Sequence, residues 1–213
     1  MNGRPDVNVF RKRRGRILRQ WLDTLRARAG RDLHVLDVGG RESYWQNVGT
    51  EGIARISLLN IETDDLAVSS SIFQPLKGDA RRHDAISGQS FDFVHSNSVI
   101  EHVGSWDDMQ AMAGVLRAAA PAGWVQTPAW EFPFEPHYRL PLMHYFAAPV
   151  RRAMLRLSPV MRRGVTLSER RHHADRINLL SRAEIETLFP DAVLTVERVA
   201  LLPKSYVVCW GKR

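Results

Sequence analysis

Short apolar runs alternate with amphipathic or turn-forming stretches along most of the chain. LHVLDV (33–38) is mostly apolar and runs directly into two glycines, which predicts a short buried strand. Similar runs predict strands over residues 54–61, 91–96 and 123–127, and another strand that ends just before Gly78. Runs of this length, bounded by turn residues, are typical of buried strands in a parallel sheet.

Three stretches have the spacing of helices. Residues 14–29 place large apolar side chains on one stripe among arginines and end at Gly30, as expected for an amphipathic helix. Residues 99–119 repeat apolar side chains every three to four positions. Residues 181–189 begin with a serine followed three positions later by a glutamate, which is the signature of a capping box.

Strands that alternate with helices predict an α/β fold. We expect a Rossmann-like, seven-stranded, mostly parallel sheet with helices on both faces. The last two predicted strands are separated only by residues 201–204, which indicates an antiparallel hairpin at the C-terminal edge. We interpret residues 1–213 as a single domain, with a basic helical arm over 1–31 and a proline-rich substrate-cap insertion over 130–180.

The composition indicates an ordinary globular chain, with 213 residues of which 44% are hydrophobic. No run of 18 apolar residues exists, and the first residues lack the apolar core of a secretory signal. The single cysteine, Cys209, cannot form an internal disulfide. We therefore expect a cytoplasmic protein.

Positive charge is concentrated in two segments, although the net charge is only +7. Residues 1–31 hold ten basic and two acidic side chains, and residues 139–182 hold the same numbers. This pattern suggests an anionic partner such as a phosphate, a nucleic acid or a membrane surface. A solvated basic face is the alternative, because 26 of the 30 basic residues are arginines spread through an Arg-rich chain.

Small or polar residues follow each of the first four strands. Since ligands of such sheets bind at the carboxyl ends of the strands, these positions are candidate binding residues. They are Asp37, Gly39 and Gly40 after the first strand, Glu62 after the second, Asp79 and Ala80 after the third, and Asn97 and Ser98 after the fourth. An acidic residue some twenty positions after the glycines can accept hydrogen bonds from both ribose hydroxyls.

The strings HVLDVGGRESYW, LLNIE, KGDA, FDFVHSNSVIEHV and VQTP resemble the ordered motifs of class I S-adenosylmethionine-dependent methyltransferases. The chain is most similar to the small bacterial type 11-like group, which has counterparts of FPFEPHYRLPLMHYF and of the C-terminal LPKSY. The resemblance covers residues 33–208. It implies a methyltransferase that uses S-adenosylmethionine as its cofactor.

The resemblance also implies roles for the residues after the first two strands. Asp37 and Gly39 would hold the methionine end of the cofactor, and Gly40 would give the cofactor access to the backbone. Glu62 would bind the ribose hydroxyls. For Asp37 the alternative is a structural role as the cap of the following helix, since aspartate is a favoured cap.

The later positions are assigned in the same way. By resemblance, Asp79 would face the adenine amino group with the backbone of Ala80 beside the ring, and Asn97 and Ser98 would line the floor near the sulfonium. Asp79 has an alternative structural role as a turn residue.

The chain departs from the family pattern at Arg41, where the glycine turn usually has a third small residue. Arginine lacks the backbone freedom of glycine, but we expect cofactor binding to survive because Gly39 and Gly40 remain. A nicotinamide-binding enzyme is excluded, because its G-x-G-x-x-G pattern would need glycine at Arg41 and Tyr44. Ala129 stands where relatives often have asparagine, so the choice of acceptor can differ here.

Methyl transfer from a sulfonium is an in-line displacement, and a hydroxyl acceptor benefits from a general base, usually histidine. We rank His137 first, since it lies after the fifth strand where this fold recognises substrates. His102 ranks second, with a helix-packing role as its alternative. We predict no metal site, since the adjacent pair His172 and His173 would rarely converge on one ion.

Two features of nucleic-acid methyltransferases are missing from the chain, and this limits the choice of methyl acceptor. SNSV stands where amino-methylating nucleic-acid enzymes have a PPY-type motif, and Cys209 on the last strand is not placed to act as a nucleophile on a pyrimidine. Nucleic acid is therefore an unlikely partner. Residues 141–163 mix apolar residues with paired arginines. This pattern suits peripheral contact with an anionic membrane, or binding of a phosphate-bearing glycan or lipid-linked acceptor. The alternative is a basic outer face without a partner.

The aromatic residues of 130–146 form either a lid over an apolar acceptor or the core of the insertion.

Two functional hypotheses follow. The first is an S-adenosylmethionine-dependent methyltransferase that moves a methyl group to a small-molecule, sugar or lipid-linked acceptor at oxygen. The alternative is a non-catalytic module on the same fold that senses the cofactor or binds nucleic acid.

Overall fold

A computed structural model describes residues 5–64, 66, 68–161 and 165–211, with side chains from residue 9 onward. The strands are β1 Leu33–Val38, β2 Ile53–Asn60, β3 Phe73–Lys77, β4 Phe93–Asn97, β5 Gly123–Pro128, β6 Phe134–Glu135, β7 Leu140–Pro141, β8 Val193–Val199 and β9 Leu202–Trp210. The helices are α1 Pro5–Ala29, α2 Glu42–Trp45, α3 Trp106–Ala119, α4 Ala148–Met154, α5 Leu167–Asp175 and α6 Arg182–Leu188. Single 3-10 turns lie at His83–Ile86, Ile100–His102, Met143–Tyr145 and Leu155–Leu157.

Seven of these strands form one sheet in the order β3-β2-β1-β4-β5-β9-β8. Strand β1 pairs in parallel with both β2 and β4, whereas β8 and β9 pair antiparallel. The predicted mostly parallel sheet with an antiparallel C-terminal edge is therefore confirmed. The strand order reverses between β1 and β4, and the crevice at such a reversal is where open α/β sheets bind ligands.

The chain divides into two compact units. Unit one comprises the described residues up to Ser96, together with Val115–Gly123 and Gly211. Its core packs helix α1 against the sheet: Leu18 and Leu22 are fully buried, and the rings of Trp21 and Phe93 meet edge to face with centroids 5.0 Å apart. Strand β1 is buried on both faces, which explains why its sequence shows no polar alternation.

Unit two comprises Asn97–Gly114 and Trp124–Trp210, and it contains the predicted cap segment. A separate apolar cluster lies in that segment, formed by Tyr138, Leu140, Met143, Leu155 and Ala174. Tyr138 thus belongs to the core, as one of the two interpretations of the aromatic stretch had it. The side chains of Trp130, Tyr145 and Phe146 are instead 39–45% exposed.

Helix α1 begins at Pro5, nine residues before the predicted start. Proline fits the first turn of a helix, where its missing N–H has no partner to lose. The first turns carry mainly polar and basic residues, so apolar periodicity did not mark them. No helix in the part of the chain that the structure describes is both long and apolar enough to cross a bilayer.

The helix predicted over 99–119 is wrong in its first third. The structure has a 3-10 turn at Ile100–His102, and α3 starts only at Trp106. Gly104 has a φ of +127°, which ends the first segment. Ser105 and Asp108 then cap the new helix, since the Ser105 N–H donates to Asp108 and the Asp108 N–H donates to the Ser105 hydroxyl.

The predicted four-residue connection of the last hairpin is also wrong. Val199 pairs with Leu202, so only Ala200 and Leu201 form the turn. The sequence misled here because Pro203 looks like a strand breaker. It lies at the register shift after Glu197, where the absence of its N–H is tolerated.

The predicted capping box at Ser181 is confirmed. The Ser181 hydroxyl accepts the N–H of Glu184, and the Glu184 carboxylate accepts the N–H of Ser181 at 2.7 Å. We expect Ser181→Ala to lower the free energy of unfolding by about 1 kcal/mol, because the first turn of α6 loses this partner. Urea denaturation measures the change. Thr187→Ala on the same helix is the control, and a Ser181 variant as stable as that control would contradict the prediction.

Candidate active site

The glycine turn after β1 depends on both of its glycines. Gly39 has a φ of +68°, in the region that side chains disfavour, and its N–H donates to the Leu59 carbonyl at 2.8 Å. A Cβ on Gly40 would lie 1.7 Å from Oδ2 of Asp37. The turn therefore presents bare backbone at the carboxyl end of β1.

Gly40→Ala is expected to destabilise the fold and to weaken cofactor binding, since Asp37 or the turn itself must shift to admit a methyl group. Overpacking of this kind costs roughly 1–3 kcal/mol. Chemical denaturation and calorimetry with S-adenosylhomocysteine measure both effects. Gly114→Ala in α3 is the matched control, because nothing lies within 4 Å of its added Cβ. The two variants behaving alike would show that Gly40 is not constrained.

Arg41 does not strain the turn, although arginine lacks the backbone freedom of the small residue that the family usually has at this position. Its backbone is extended, with a φ of −138° and a ψ of 150°, a conformation open to any residue. The third small residue of the family pattern is therefore not required by the backbone at this position.

Asp37 is buried, with only 1% of its surface exposed. Trp45 donates its indole N–H to Oδ2 at 2.7 Å, and Nδ1 of His95 lies 2.7 Å from Oδ1. Asp37 does not cap the next helix, because the cap position of α2 is Arg41. Instead it ties α2 and β4 to the end of β1. Sequence reasoning missed both partners, since His95 lies 58 residues away in the chain.

Glu62 lies just beyond β2 and is open to solvent. Its side chain is 72% exposed, and the ammonium group of Lys77 lies 3.1 Å from Oε2. Asp79 is more constrained. It accepts the N–H of Arg81, two residues on, and forms an ion pair with the Arg81 guanidinium at 2.5 Å. The hydrogen bond from Arg81 lowers the pKa of Asp79 below its ordinary value. These contacts fit its alternative interpretation as a turn residue, with half-buried Ala80 beside it.

Asn97 and Ser98 lie at the carboxyl end of β4, in unit two. Ser98 has a φ of +57°, and its N–H and hydroxyl both bind Gln126, at 2.8 and 3.1 Å. The Oδ1 atom of Asn97 is buried and has no hydrogen-bond partner within the described residues. Because an unsatisfied buried acceptor is costly, this atom is well suited to receive an N–H donor from a ligand.

A cluster of histidines and glutamates lies elsewhere in unit two. Glu101 is fully buried, and its Oε2 accepts the Thr127 hydroxyl at 3.0 Å. Its Oε1 has no hydrogen-bond partner among the described residues and lies 3.8 Å from Nε2 of His137. Burial raises the pKa of Glu101 to about 7. The cluster therefore contains a carboxyl group poised near neutral pH.

His137 is oriented by Glu135. Nδ1 of His137 lies 2.6 Å from Oε1 of Glu135, and Glu135 also accepts the backbone N–H groups of His137 and Tyr138. Burial alone would raise the pKa of Glu135 and lower the pKa of His137. The hydrogen bond between the two side chains has the opposite effect and is stronger, so the pKa of Glu135 is lowered and that of His137 is raised. Since the carboxylate can only accept, Nδ1 of His137 carries a proton and its Nε2 faces the cluster.

His102 completes the cluster, with its Nε2 3.1 Å from Nε2 of His137. Burial and the neighbouring His137 charge lower the pKa of His102 to about 4. The structure thus brings together the two histidines that the sequence singled out as catalytic. It adds Glu101 and Glu135, which sequence reasoning missed although each lies within two residues of one of the histidines.

The pair considered and rejected as a metal site lies elsewhere, on α5. The ring centroids of His172 and His173 are 6.3 Å apart, and the neighbouring Asp175 forms an ion pair with Arg152. Among the described residues, these side chains do not form a group of converging metal ligands.

A family model described as a methyltransferase domain matches residues 10–199. The chain belongs to this family. With its seven-stranded, mostly parallel sheet, the methyltransferase domain is an S-adenosylmethionine-dependent enzyme of class I. A comparison with curated protein sequences finds no match.

Several solved structures share the fold. The amino pentose methyltransferase CalS10 of Micromonospora echinaspora is 16% identical, with 99% of this chain and 98% of that one covered and a TM-score of 0.56. An O-methyltransferase family protein of Burkholderia thailandensis is 12% identical with a TM-score of 0.51, and the match covers 95% of this chain but 58% of that one. A structure described as putative Zn-dependent alcohol dehydrogenases from Rhodobacter sphaeroides is 12% identical, with 86% and 85% covered and a TM-score of 0.56. At these identities the likeness shows the fold alone.

In unit one, the glycine turn exposes backbone and Glu62 offers an accessible carboxylate, features that suit a nucleoside cofactor. In unit two, Oδ1 of Asn97 has no hydrogen-bond partner among the described residues and can accept from an N–H donor. When bound, the cofactor supplies a methyl group on a sulfonium, which is a good leaving group.

Proposed function

We propose that this methyltransferase moves the methyl group to an oxygen of a small-molecule, sugar or lipid-linked acceptor. The observation that carries this proposal is the cluster of Glu101, His102, Glu135 and His137. A hydroxyl acceptor must lose a proton as its oxygen is methylated, so it gains most from nearby groups that can take up or stabilise that proton.

His137 is the side chain best prepared for this step. Glu135 holds the Nδ1 proton, so Nε2, which lies 3.1 Å from Nε2 of His102, is the atom that exchanges a proton with an acceptor hydroxyl. The raised pKa of His137 makes it a stronger base, and the carboxylate of Glu135 stabilises the imidazolium that results. His102, with its low pKa, stays neutral near physiological pH and can orient the same hydroxyl.

Cofactor binding is assigned to the strand ends. Gly39 and Gly40 give backbone access, Glu62 binds the ribose hydroxyls, and the amide of Asn97 receives the ammonium group, with Ser98 beside it. Asp37 is buried, so it acts on the methionine end through the turn that it anchors. Asp79 and Ala80 border the adenine, and there Asp79 must share its carboxylate with Arg81.

A pocket in unit two supports an acceptor of modest size. It has a volume of about 350 Å³, within the usual range for small-molecule sites. Its lining mixes aromatic, amide and basic side chains, including Trp106, Trp130, His144, Arg151 and Asn178. Aromatic faces suit a sugar or aromatic ring, and Arg151 suits an anionic group such as a phosphate.

An anionic membrane, contacted at its surface by the cap segment, is the partner that would deliver a lipid-linked acceptor. Apolar side chains of the cap segment are exposed beside its arginines, with Leu157 at 76% and Val160 at 50%. Flotation with phosphatidylserine vesicles tests this partner. We expect binding that Leu157→Glu weakens, and absence of flotation at low salt would remove the membrane from the proposal.

The test of the reaction is transfer of labelled methyl from S-adenosylmethionine to a panel of hydroxyl, amine and carboxylate acceptors of up to lipid-linked size. The expected product is an O-methyl ether or ester that does not form with His137→Ala. Methylation of amines alone would overturn the assignment to oxygen.

A further inference from the structure

In the described part of the chain, three side chains place one possible ligand atom each within 4.8 Å of one another. They are Glu101, His102 and His137. We propose that this group binds one divalent first-row transition-metal ion, through Nε2 of each histidine and Oε1 of Glu101. The proposal concerns a site that the sequence analysis did not predict, and it deepens the proposed function.

The spacing of the two imidazoles fits a shared ion. Metal–nitrogen bonds of zinc are about 2.0–2.1 Å, so two ligands lie about 2.8–3.0 Å apart at right angles and about 3.3–3.4 Å apart in a tetrahedral array. The observed Nε2–Nε2 distance is 3.1 Å. Oε1 of Glu101, 3.8 Å from Nε2 of His137, needs only a small movement to complete the set.

Glu101 provides the independent observation. Its side chain is 0% exposed, and no described residue forms a hydrogen bond with Oε1. A buried carboxylate oxygen left without a partner is costly, since no water replaces the lost hydration. This oxygen points at the two imidazoles, where a cation would satisfy it.

The groups around these three side chains are arranged as they are around known metal sites. A histidine ligand usually donates its other N–H to a carboxylate or a carbonyl, which fixes the ring and raises its basicity. Glu135 does this for Nδ1 of His137 at 2.6 Å, and Thr127 holds the remaining oxygen of Glu101 at 3.0 Å. The ring of His102 has a hydrogen bond to the backbone of Arg176.

Three protein ligands leave coordination positions open, as in catalytic rather than structural sites. This part of the inference rests on the proposed function. An acceptor hydroxyl bound at an open position would lose its proton to water more easily. Its oxygen would then form the new bond to the methyl carbon, while the carbon–sulfur bond breaks and its electron pair stays on sulfur. In this arrangement His137 acts as a ligand and not as a free base.

The test is calorimetric titration of the chelator-treated full chain with Zn²⁺ and, separately, Mn²⁺, with no acceptor present. We expect one equivalent to bind, and we expect Glu101→Gln and His137→Ala each to weaken binding at least tenfold. Gln keeps the acceptor for the Thr127 hydroxyl, so Glu101→Gln preserves the packing. Glu135→Gln should weaken binding by about 10–100-fold as a positioning residue.

His172→Ala is the matched control, since it removes an exposed histidine of the same unit outside the cluster. The proposal is overturned if the wild-type chain binds neither metal, or if Glu101→Gln and His172→Ala bind equally well. Circular dichroism of each variant shows whether it folds. If a variant does not fold, the titration of the wild-type chain alone decides whether the cluster binds a metal ion. Titration of the same sample with S-adenosylhomocysteine separates the two claims. Cofactor binding without metal binding rejects only the metal, whereas metal binding without O-methylation of any acceptor rejects the proposed function.

Discussion

Asp37→Ala is expected to lower the free energy of unfolding by about 2–5 kcal/mol, because it leaves two buried partners without a hydrogen bond, at a cost of roughly 1–3 kcal/mol each. The indole of Trp45 and the imidazole of His95, both buried, would each lose a hydrogen bond of 2.7 Å. The turn after β1 would lose its anchor in the same step, so cofactor binding should fail with it.

Chemical denaturation measures the first effect and calorimetry with S-adenosylhomocysteine the second. Asp23→Ala is the matched control, since its carboxylate is 60% exposed and its pair with Arg19 should be worth less than about 1 kcal/mol. If the two variants unfold at the same denaturant concentration, Asp37 does not anchor the turn.

His137→Ala is expected to lower kcat by about 10²–10⁴-fold, the usual contribution of a positioned acid–base group. The side chain is needed in either arrangement: it takes the proton itself, or it helps to hold a metal ion that would make the acceptor hydroxyl lose its proton to water more easily. Its loss should leave the dissociation constant of S-adenosylhomocysteine unchanged, because the cofactor residues lie at the strand ends. Steady-state kinetics with an acceptor from the screen provides the measurement.

His172→Ala serves again as the control and should retain wild-type kcat. A His137 variant with kcat within a few fold of wild type would show that the cluster does not take part in the reaction. Loss of cofactor binding in that variant would instead indicate a structural role.

The sequence predicted the sheet well because its signals are local. LHVLDV coincides with β1, and the residues that follow each strand could be aligned by the rule that parallel strands end at one edge. Gly39 and Gly40 were identified for a reason that the structure confirms, since neither position tolerates a side chain without rearrangement.

Partners far apart in the sequence could not be found in this way. Glu101 and His102 are adjacent to each other but are separated by more than thirty residues from Glu135 and His137. The local sequence pattern does not predict that the cap segment folds back to contact Glu101 and His102. The pairing of Asp37 with His95 is hidden for the same reason, since 58 residues separate the two in the chain.

The wrong start predicted for helix α3 has a local cause that is visible in the sequence. Gly104 followed by Ser105 and, three positions later, Asp108 is a helix start, but the apolar periodicity upstream outweighed it. Arg41 departs from the family pattern in the sequence, but its position needs only extended backbone, which the sequence alone does not show.

The most direct test of the central claim is calorimetric binding of S-adenosylhomocysteine to the wild-type chain and to Glu62→Ala. Glu62 is 72% exposed, so its removal should leave the fold intact and report on the cofactor site alone. We predict one equivalent bound by the wild type and binding weakened about tenfold or more by Glu62→Ala, through loss of two charge-assisted hydrogen bonds. The exposed Glu51, changed to alanine, should have no effect. Absence of binding by the wild type, or equal binding by the two variants, would contradict the cofactor site described here.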